Sequence, residues 1–233
     1  MKKVKDNYFD NISSEEQAYL LGFFIADGCI TSNANTYENN NRLQVSLKEE
    51  DGYIVELFHS SICPDNKITI SNYKKGALNR QPVNSIRWTS KYMSELLTNK
   101  YNIQRNKTYH SDFKFPFNTI KKEYIRHFIR GFFDGDGHIS YNDITKGFTL
   151  AFYGTSKPFL LQIGTLIEEL FNVKMIIDCS EKRNVLLYCL RFNSNNKRKK
   201  FITELTEWIY KDSNYYLIRK KKKFESYLNT VLI

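Results

Sequence analysis

Two stretches of this chain repeat each other, and that constrains its fold more than any other feature. Ala18-Tyr-Leu-Leu-Gly-Phe-Phe-Ile-Ala-Asp-Gly28 and His127-Phe-Ile-Arg-Gly-Phe-Phe-Asp-Gly-Asp-Gly137 both carry Gly-Phe-Phe, two further residues, then Asp-Gly. An internal repeat implies one structural unit used twice. The correspondence continues downstream. An alternating strand pattern at 43–47 is matched at 149–153, Arg87-Trp88 by Arg191-Phe192, and Lys107 by Lys220, each at a similar distance from its Asp. Each half therefore reads as a motif helix, a strand pair, a helix, another strand pair and a final helix.

Periodicity places the elements. In the first half, helices are predicted over 14–26, 50–61 and 90–100, and strands over 29–32, 42–48, 67–73 and 84–89. In the second, helices are predicted over 119–134, 157–171, 196–209 and 213–228, and strands over 138–142, 148–154, 174–180 and 186–193. The connection runs near 109–118 and contains Pro116, a helix-start signal. Ser13 or Ser14 can cap the first motif helix, with Glu16 at capping-box spacing from Ser13. Asn118 or Thr119 can cap the second.

The motif helices carry chemistry as well as structure. Gly22 and Ala26 stand four apart, as do Gly131 and Gly135. Residues four apart share a helix face, and a face of small residues lets two backbones approach closely. Asp27 and Asp136 follow these faces at the last turn. If the helices pack together, two like charges meet where the helix dipole is also negative. Stability alone would not choose aspartate there. A divalent cation held by carboxylate and carbonyl oxygens resolves the conflict. The plainer reading is a pair of Asp-Gly turns, with Gly28 and Gly137 as the residues just past each helix; the duplication weighs against it.

Charge indicates a partner. Thirty-five Lys plus Arg against 25 Asp plus Glu leave a net +10, which attracts polyanions, nucleic acid above all. The 233 residues suit one large domain or two small ones. The most apolar stretch, near 18–26, is too short to span a membrane. Lys5, Asp6 and Asn7 interrupt any leader-like start. A soluble, intracellular, monomeric protein is expected, without a membrane partner. The four Cys and four His form no zinc pattern and read as structural.

With these features in place, Leu20–Gly28 resembles the LAGLIDADG motif at Gly22, Ala26, Asp27 and Gly28. Ile129–Gly137 resembles it at Gly131, Asp134, Asp136 and Gly137. Ile25 departs from the motif at its first Asp. Arg130 replaces a small residue and is expected to be tolerated at the start of the helix. The resemblance spans nearly the whole chain and is to single-chain, two-motif homing endonucleases. It implies an α+β fold of two pseudo-symmetric αββαββα repeats, 1–117 and 118–233. Their motif helices would form a central interface, and their sheets a β-saddle in the DNA major groove.

The resemblance further implies an endonuclease that makes a double-strand break with 3′ overhangs in a long asymmetric DNA target. Asp27 and Asp136 would hold Mg²⁺ or Mn²⁺ with help from the carbonyls of Ala26 and Gly135; Ca²⁺ would bind without supporting cleavage. Lys107 and Lys220 are implied near the scissile phosphates, although any member of the run Arg219 to Lys223 could replace Lys220. Arg42, Gln44, Ser46 and Lys48 alternate on one strand face as the leading DNA contacts, since Arg and Gln suit bidentate base recognition. Thr69, Ser71, Arg80, Asn84, Arg87, Tyr141, Tyr153, Tyr188 and Arg191 are further candidates. Lys157, like Lys48, is a candidate neighbour of the active site. An intron RNA maturase, with intron RNA as partner, and a catalytically silent DNA-binding protein are the alternatives. Richness in Lys, Asn, Ile, Tyr and Phe points to an AT-rich genome, whether of an organelle, a phage or a low-GC bacterium. An intron, intein or free-standing origin stays open.

Overall fold

A computed structural model describes residues 3–31, 41–71, 81–142, 147–182, 184–194 and 199–231. Arg80, a candidate DNA contact, and residues 72–73 of the expected third strand lie outside the described residues. The first half runs α1 (Glu15–Asp27), β1 (Gly28–Thr31), β2 (Arg42–Lys48), α2 (Gly52–Ile62), β3 (Thr69–Ser71), β4 (Val83–Thr89) and α3 (Lys91–Tyr101). The second runs α4 (Lys122–Asp136), β5 (Gly137–Asn142), β6 (Gly147–Gly154), α5 (Lys157–Phe171), β7 (Ile176–Lys182), β8 (Val185–Ser194), α6 (Lys199–Tyr210) and α7 (Ile218–Val231). The two halves build the same antiparallel four-stranded sheet, ordered β1-β2-β4-β3 and β5-β6-β8-β7. The repeat in sequence is thus a repeat in topology. Among the described residues, no helix is long and apolar enough to cross a membrane.

The motif helices form close to where predicted; the expected serine cap holds at α1, and the expected cap of α4 does not. Ser14 caps α1, its hydroxyl accepting from Gln17 N at 3.2 Å. Gln17 returns the bond to Ser13 N at 2.9 Å, so Gln17 rather than Glu16 completes the box. Neither Asn118 nor Thr119 caps α4. They fall in a 3-10 turn, Phe117–Thr119, and the helix starts after Lys121 without a side-chain cap.

From Ala18 to Ala26 every residue of α1 is buried, as is every residue of α4 from His127 to Asp134. A helix buried all round belongs to a core, and here each packs against the other. A Cβ built on Gly22 would lie 2.0 Å from the Phe128 carbonyl oxygen, and one on Gly131 would lie 2.0 Å from that of Tyr19. The two backbones touch, and only glycine permits it. Each helix then carries its own sheet. Phe24 packs on Phe58 and Trp88 at 6.5 and 6.2 Å, and Phe133 packs on Phe152 at 5.0 Å. The connecting segment is pinned by aromatic contact: Phe115 stacks on Tyr101 at 5.9 Å and meets Phe128 of α4 at 4.2 Å.

Arg130 corrects an expectation. It lies in the middle of α4 rather than at its start, with no exposed surface. Its Nη2 donates to Glu15 Oε1 at 2.6 Å, Nε to the Tyr215 carbonyl at 2.7 Å and Nη1 to the Ile209 carbonyl at 3.0 Å. A buried guanidinium persists only when so fully paired. It ties α4 both to α1 and to the segment leading into α7.

Candidate active site and nucleic-acid interface

Because α1 and α4 touch along their glycines, their C-terminal ends converge. Asp27 and Asp136 are the last residues of these helices, and each is followed at once by a strand. Gly28 and Gly137 are not left-handed cap residues. Their φ values are −80° and −87°, and glycine is required for space instead. A Cβ at Gly28 would strike the Phe24 ring at 2.3 Å, and one at Gly137 the Phe133 ring at 2.3 Å. Gly135 lies close to the facing helix: its Cβ would fall 2.2 Å from Ala26 Cβ and 3.1 Å from Asp27 Oδ2.

The carboxylates feel one another and the protein around them. Desolvation raises the Asp136 pKa to about 6, with repulsion from Asp27 adding to it against the pull of Lys107 and Lys220. Asp27 is open to solvent on one side, yet surrounding protein desolvates its carboxylate enough to raise its pKa against the pull of Lys107, Lys220 and Arg219. Both shifts point upward and desolvation leads in each; the like charge that adds to it is Asp27 for Asp136 and Asp51 for Asp27. Lys107 Nζ donates to the carbonyls of Phe24, Ile25 and Ala26. Lys220 Nζ donates to the carbonyls of Phe133 and Gly137 at 2.6 Å each and of Gly135 at 3.4 Å. Each lysine thus caps the C-terminus of one motif helix, where the dipole favours a cation. Burial lowers both lysine pKa values to about 8.

Within the basic run, Lys220 alone is buried, at 4% exposed. Lys221 lies over the Tyr216 ring at 3.9 Å, while Lys222 and Lys223 are exposed. The helical stripe Leu217, Lys220, Phe224, Tyr227, all buried, is the sequence signal that selects it. Carboxylate and carbonyl oxygens are the donors a hard divalent cation takes, and here the Ala26 and Gly135 carbonyls already accept from Lys107 and Lys220. No group of three or more His, Cys, Asp or Glu gathers among the described residues. Beside Asp136 and Lys107 opens a cavity of about 270 Å³, with Phe113, Phe132 and Phe159 among its walls.

Strand register sorts the candidate DNA contacts by face, because paired residues share a side of the sheet. Arg42, Gln44, Ser46 and Lys48 alternate with buried Leu43, Val45 and Leu47. Pairing puts Arg87 opposite Gln44, and Thr69 and Ser71 onto the same open face through Ser85 and Val83. A hydrogen-bonded row crosses it. Arg87 Nε donates to Gln44 Oε1 at 2.8 Å, Gln44 Nε2 to Ser46 Oγ at 2.6 Å, and Ser46 Oγ meets Ser85 Oγ at 2.8 Å. On the second sheet, Tyr153 and Arg191 share the open face, Arg191 paired to Asp178 at 2.6 Å.

Three candidates lie on the opposite, helix-covered face. Asn84 crowds Gly52 at the start of α2, Tyr141 packs on Tyr227 at 5.6 Å, and Tyr188, opposite Gly154, packs against the core. In each case alternation sends the side chain inward. Lys157 is exposed at the first turn of α5, off the sheet. Among the open-face residues that sequence reasoning missed, beside Ser85 and Asp178 above, are Cys29, paired with Gln44, and His138, whose ring lies 6.5 Å from Tyr153. Counting alternation onward from Gly28 and Gly137 would have found both.

Comparison with known proteins gives a consistent result. Residues 123–231 match the LAGLIDADG-like domain family. Among solved structures, the chain is similar to the LAGLIDADG homing endonuclease I-GzeII in complex with its DNA target (TM-score 0.55, 13% identity, 91% of this chain and 88% of that one). It is also similar to the homing endonuclease I-WcaI bound to its DNA recognition sequence (0.52, 18%, 91% of both chains). A third likeness is to I-DmoI in complex with DNA and Ca (0.52, 20%, 82% and 88%). No curated protein matches in sequence. At these identities the likeness to the solved structures is one of fold alone, and it is the second half of the chain that matches a LAGLIDADG-like domain.

Proposed function

We propose that this chain is a site-specific, divalent-metal-dependent DNA endonuclease that acts as a monomer. Its halves, 1–117 and 118–233, each serve one strand. It makes a double-strand break with 3′ overhangs in a long asymmetric target. The observation that carries the reading is the convergence of Asp27 and Asp136 at the joined ends of α1 and α4, each end capped by its own lysine. Asp27, Asp136 and the carbonyls of Ala26 and Gly135 would hold Mg²⁺ or Mn²⁺, which when bound supplies Lewis-acid polarisation of phosphate and a more acidic water.

The chain's own groups do the rest. Lys107 and Lys220, with pKa values near 8, stay mostly protonated at neutral pH and offer fixed positive charge to a phosphorane-like transition state. Arg42, Gln44, Ser46, Lys48, Thr69, Ser71 and Arg87 would meet one half of the target, and Tyr153 and Arg191 the other. The two open faces differ in composition, so the two half-targets differ in sequence.

A plasmid library with randomised sites, incubated with Mg²⁺ and sequenced at its cut ends, tests the reading. Recurrent asymmetric sites with 3′ overhangs are expected from the native chain. None are expected from the Asp27→Asn, Asp136→Asn double variant, which should still bind the recovered site. DNA binding without cleavage in any divalent metal would leave a silent DNA binder. Preference for intron RNA over that DNA would indicate a maturase.

A further inference from the structure

The two lysines are held by different means, and the difference begins at one position of the motif. Asp134 of α4 has no exposed surface. Its carboxylate accepts three hydrogen bonds: Tyr210 OH at 2.6 Å, Tyr19 OH at 3.1 Å and Leu217 N at 2.7 Å. Leu217 is the residue just before α7, and its carbonyl accepts from Lys220 N at 3.0 Å. A carboxylate at a helix N-terminus satisfies an open N–H and suits the dipole. The first half helps from the other side. Tyr53 OH accepts from Ile218 N at 2.6 Å, and Asp51 takes Arg219 Nε at 3.0 Å. The first turn of α7 is therefore docked before Lys220 reaches the end of α4.

Among the described residues, the other half is built differently at this position. Ile25, buried and apolar, stands where the second motif has Asp134. Lys107 sits on a single 3-10 turn, Lys107–Tyr109, entered through Asn106 at φ 53°. We propose that Asp134 is the positioning residue for Lys220, so that cleavage of the strand served by Lys220 depends on Asp134 while cleavage of the other strand does not. The strand consequence rests on the nuclease reading; the positioning itself does not.

Asp134→Asn keeps the shape but removes the charge at the start of α7 and leaves one acceptor oxygen where two accepted: Tyr210 OH must turn to accept from the new NH2, or Leu217 N loses its partner, and either way the first turn of α7 is held less firmly. Two readouts follow. The first is acetylation of the folded full chain with a water-soluble acetyl ester, mapped by mass spectrometry. Lys220 is expected to be protected in the native chain and to become several-fold more reactive in Asp134→Asn, with Lys107 unchanged. The second uses a supercoiled plasmid carrying a site recovered from the randomised library. Asp134→Asn is expected to accumulate nicked circles cut on the strand that Lys220→Met still cuts, the other strand slowing on the order of 10²-fold, as a small misplacement of a reacting group does.

Equal slowing of both strands, or unchanged Lys220 acetylation in a folded variant, overturns the proposal. If the native chain cuts no DNA, the nuclease reading has failed and acetylation alone decides. If Asp134→Asn does not fold, Tyr210→Phe, which removes the hydroxyl that aims the carboxylate, must shift the readouts in the same direction, and its failure to do so counts equally against the proposal.

Discussion

Consider replacing Gly131 by alanine. The added Cβ would lie 2.0 Å from Tyr19 O, 2.8 Å from Phe23 N and 2.9 Å from Tyr19 C. All three are backbone atoms of α1, so no rotamer change relieves them. The shortest contact is roughly 1.5 Å inside an ordinary separation, and the helices must part. Overpacking of this kind costs about 3 kcal/mol, while alanine regains about 1 kcal/mol of helix propensity over glycine. The net expectation is a loss of about 2 kcal/mol, or a fall in Tm of roughly 4–8 °C for a chain of this size. Gly164 is the internal control. It also lies inside a helix, α5, but its Cβ would meet only the side-chain ends of Leu190 and Met175 at 3.4 Å. Gly164→Ala should be neutral or stabilising by up to about 1 kcal/mol. Thermal and urea unfolding of the two variants side by side is the assay. Equal stability would refute backbone contact between α1 and α4, and with it the convergence of Asp27 and Asp136.

Further outcomes are expected. His127 is 7% exposed and sits beside Arg130, Glu15 and Arg126; burial lowers its pKa to about 4. The native state then resists a proton that the unfolded state accepts, so this stability is full above pH 6.5 and falls as pH drops toward 4, by about 1.4 kcal/mol per unit. Urea unfolding at several pH values should show that slope reduced in His127→Gln, and parallel slopes would be inconsistent with the shift. Arg130→Met strands Glu15 and two carbonyls and should cost about 3–5 kcal/mol by denaturant unfolding, with Arg130→Lys a poor rescue; a loss under about 1 kcal/mol would mean that water replaces the guanidinium. Mg²⁺ or Mn²⁺ at a hundredfold over its Kd should stabilise the native chain by about 2.7 kcal/mol, and the Asp27→Asn, Asp136→Asn chain not at all. Absence of any shift in the native chain would remove the cation from the reading.

The sequence carried most of the fold, because repetition and period are local signals. The glycine faces, the ends at Asp27 and Asp136 and the succession of helices and strands along both halves follow from them. What stayed hidden was set by distant partners. Arg130 looks out of place in a helix until Glu15, 115 residues away, is beside it. Asn84, Tyr141 and Tyr188 are polar or amphipathic residues on strands, and alternation, once anchored by the strand register, turns each inward. The cap of α4 was misread because Pro116 starts a 3-10 turn rather than the helix itself. The role of Lys220 within its run was legible in principle from the spacing of Leu217, Phe224 and Tyr227, yet a block of like charges masks a buried stripe.

The row Arg87, Gln44, Ser46, Ser85 has a bearing on any attempt to re-engineer this face. Each side chain orients the next, so the four behave as one grammatical phrase rather than four letters. Changing Gln44 alone frees the Arg87 guanidinium and the Ser46 hydroxyl to turn elsewhere, and the effects of single substitutions will not add. A combinatorial library that varies the four positions together samples coherent phrases, whereas one built by combining the best single variants assembles words that were never spoken together.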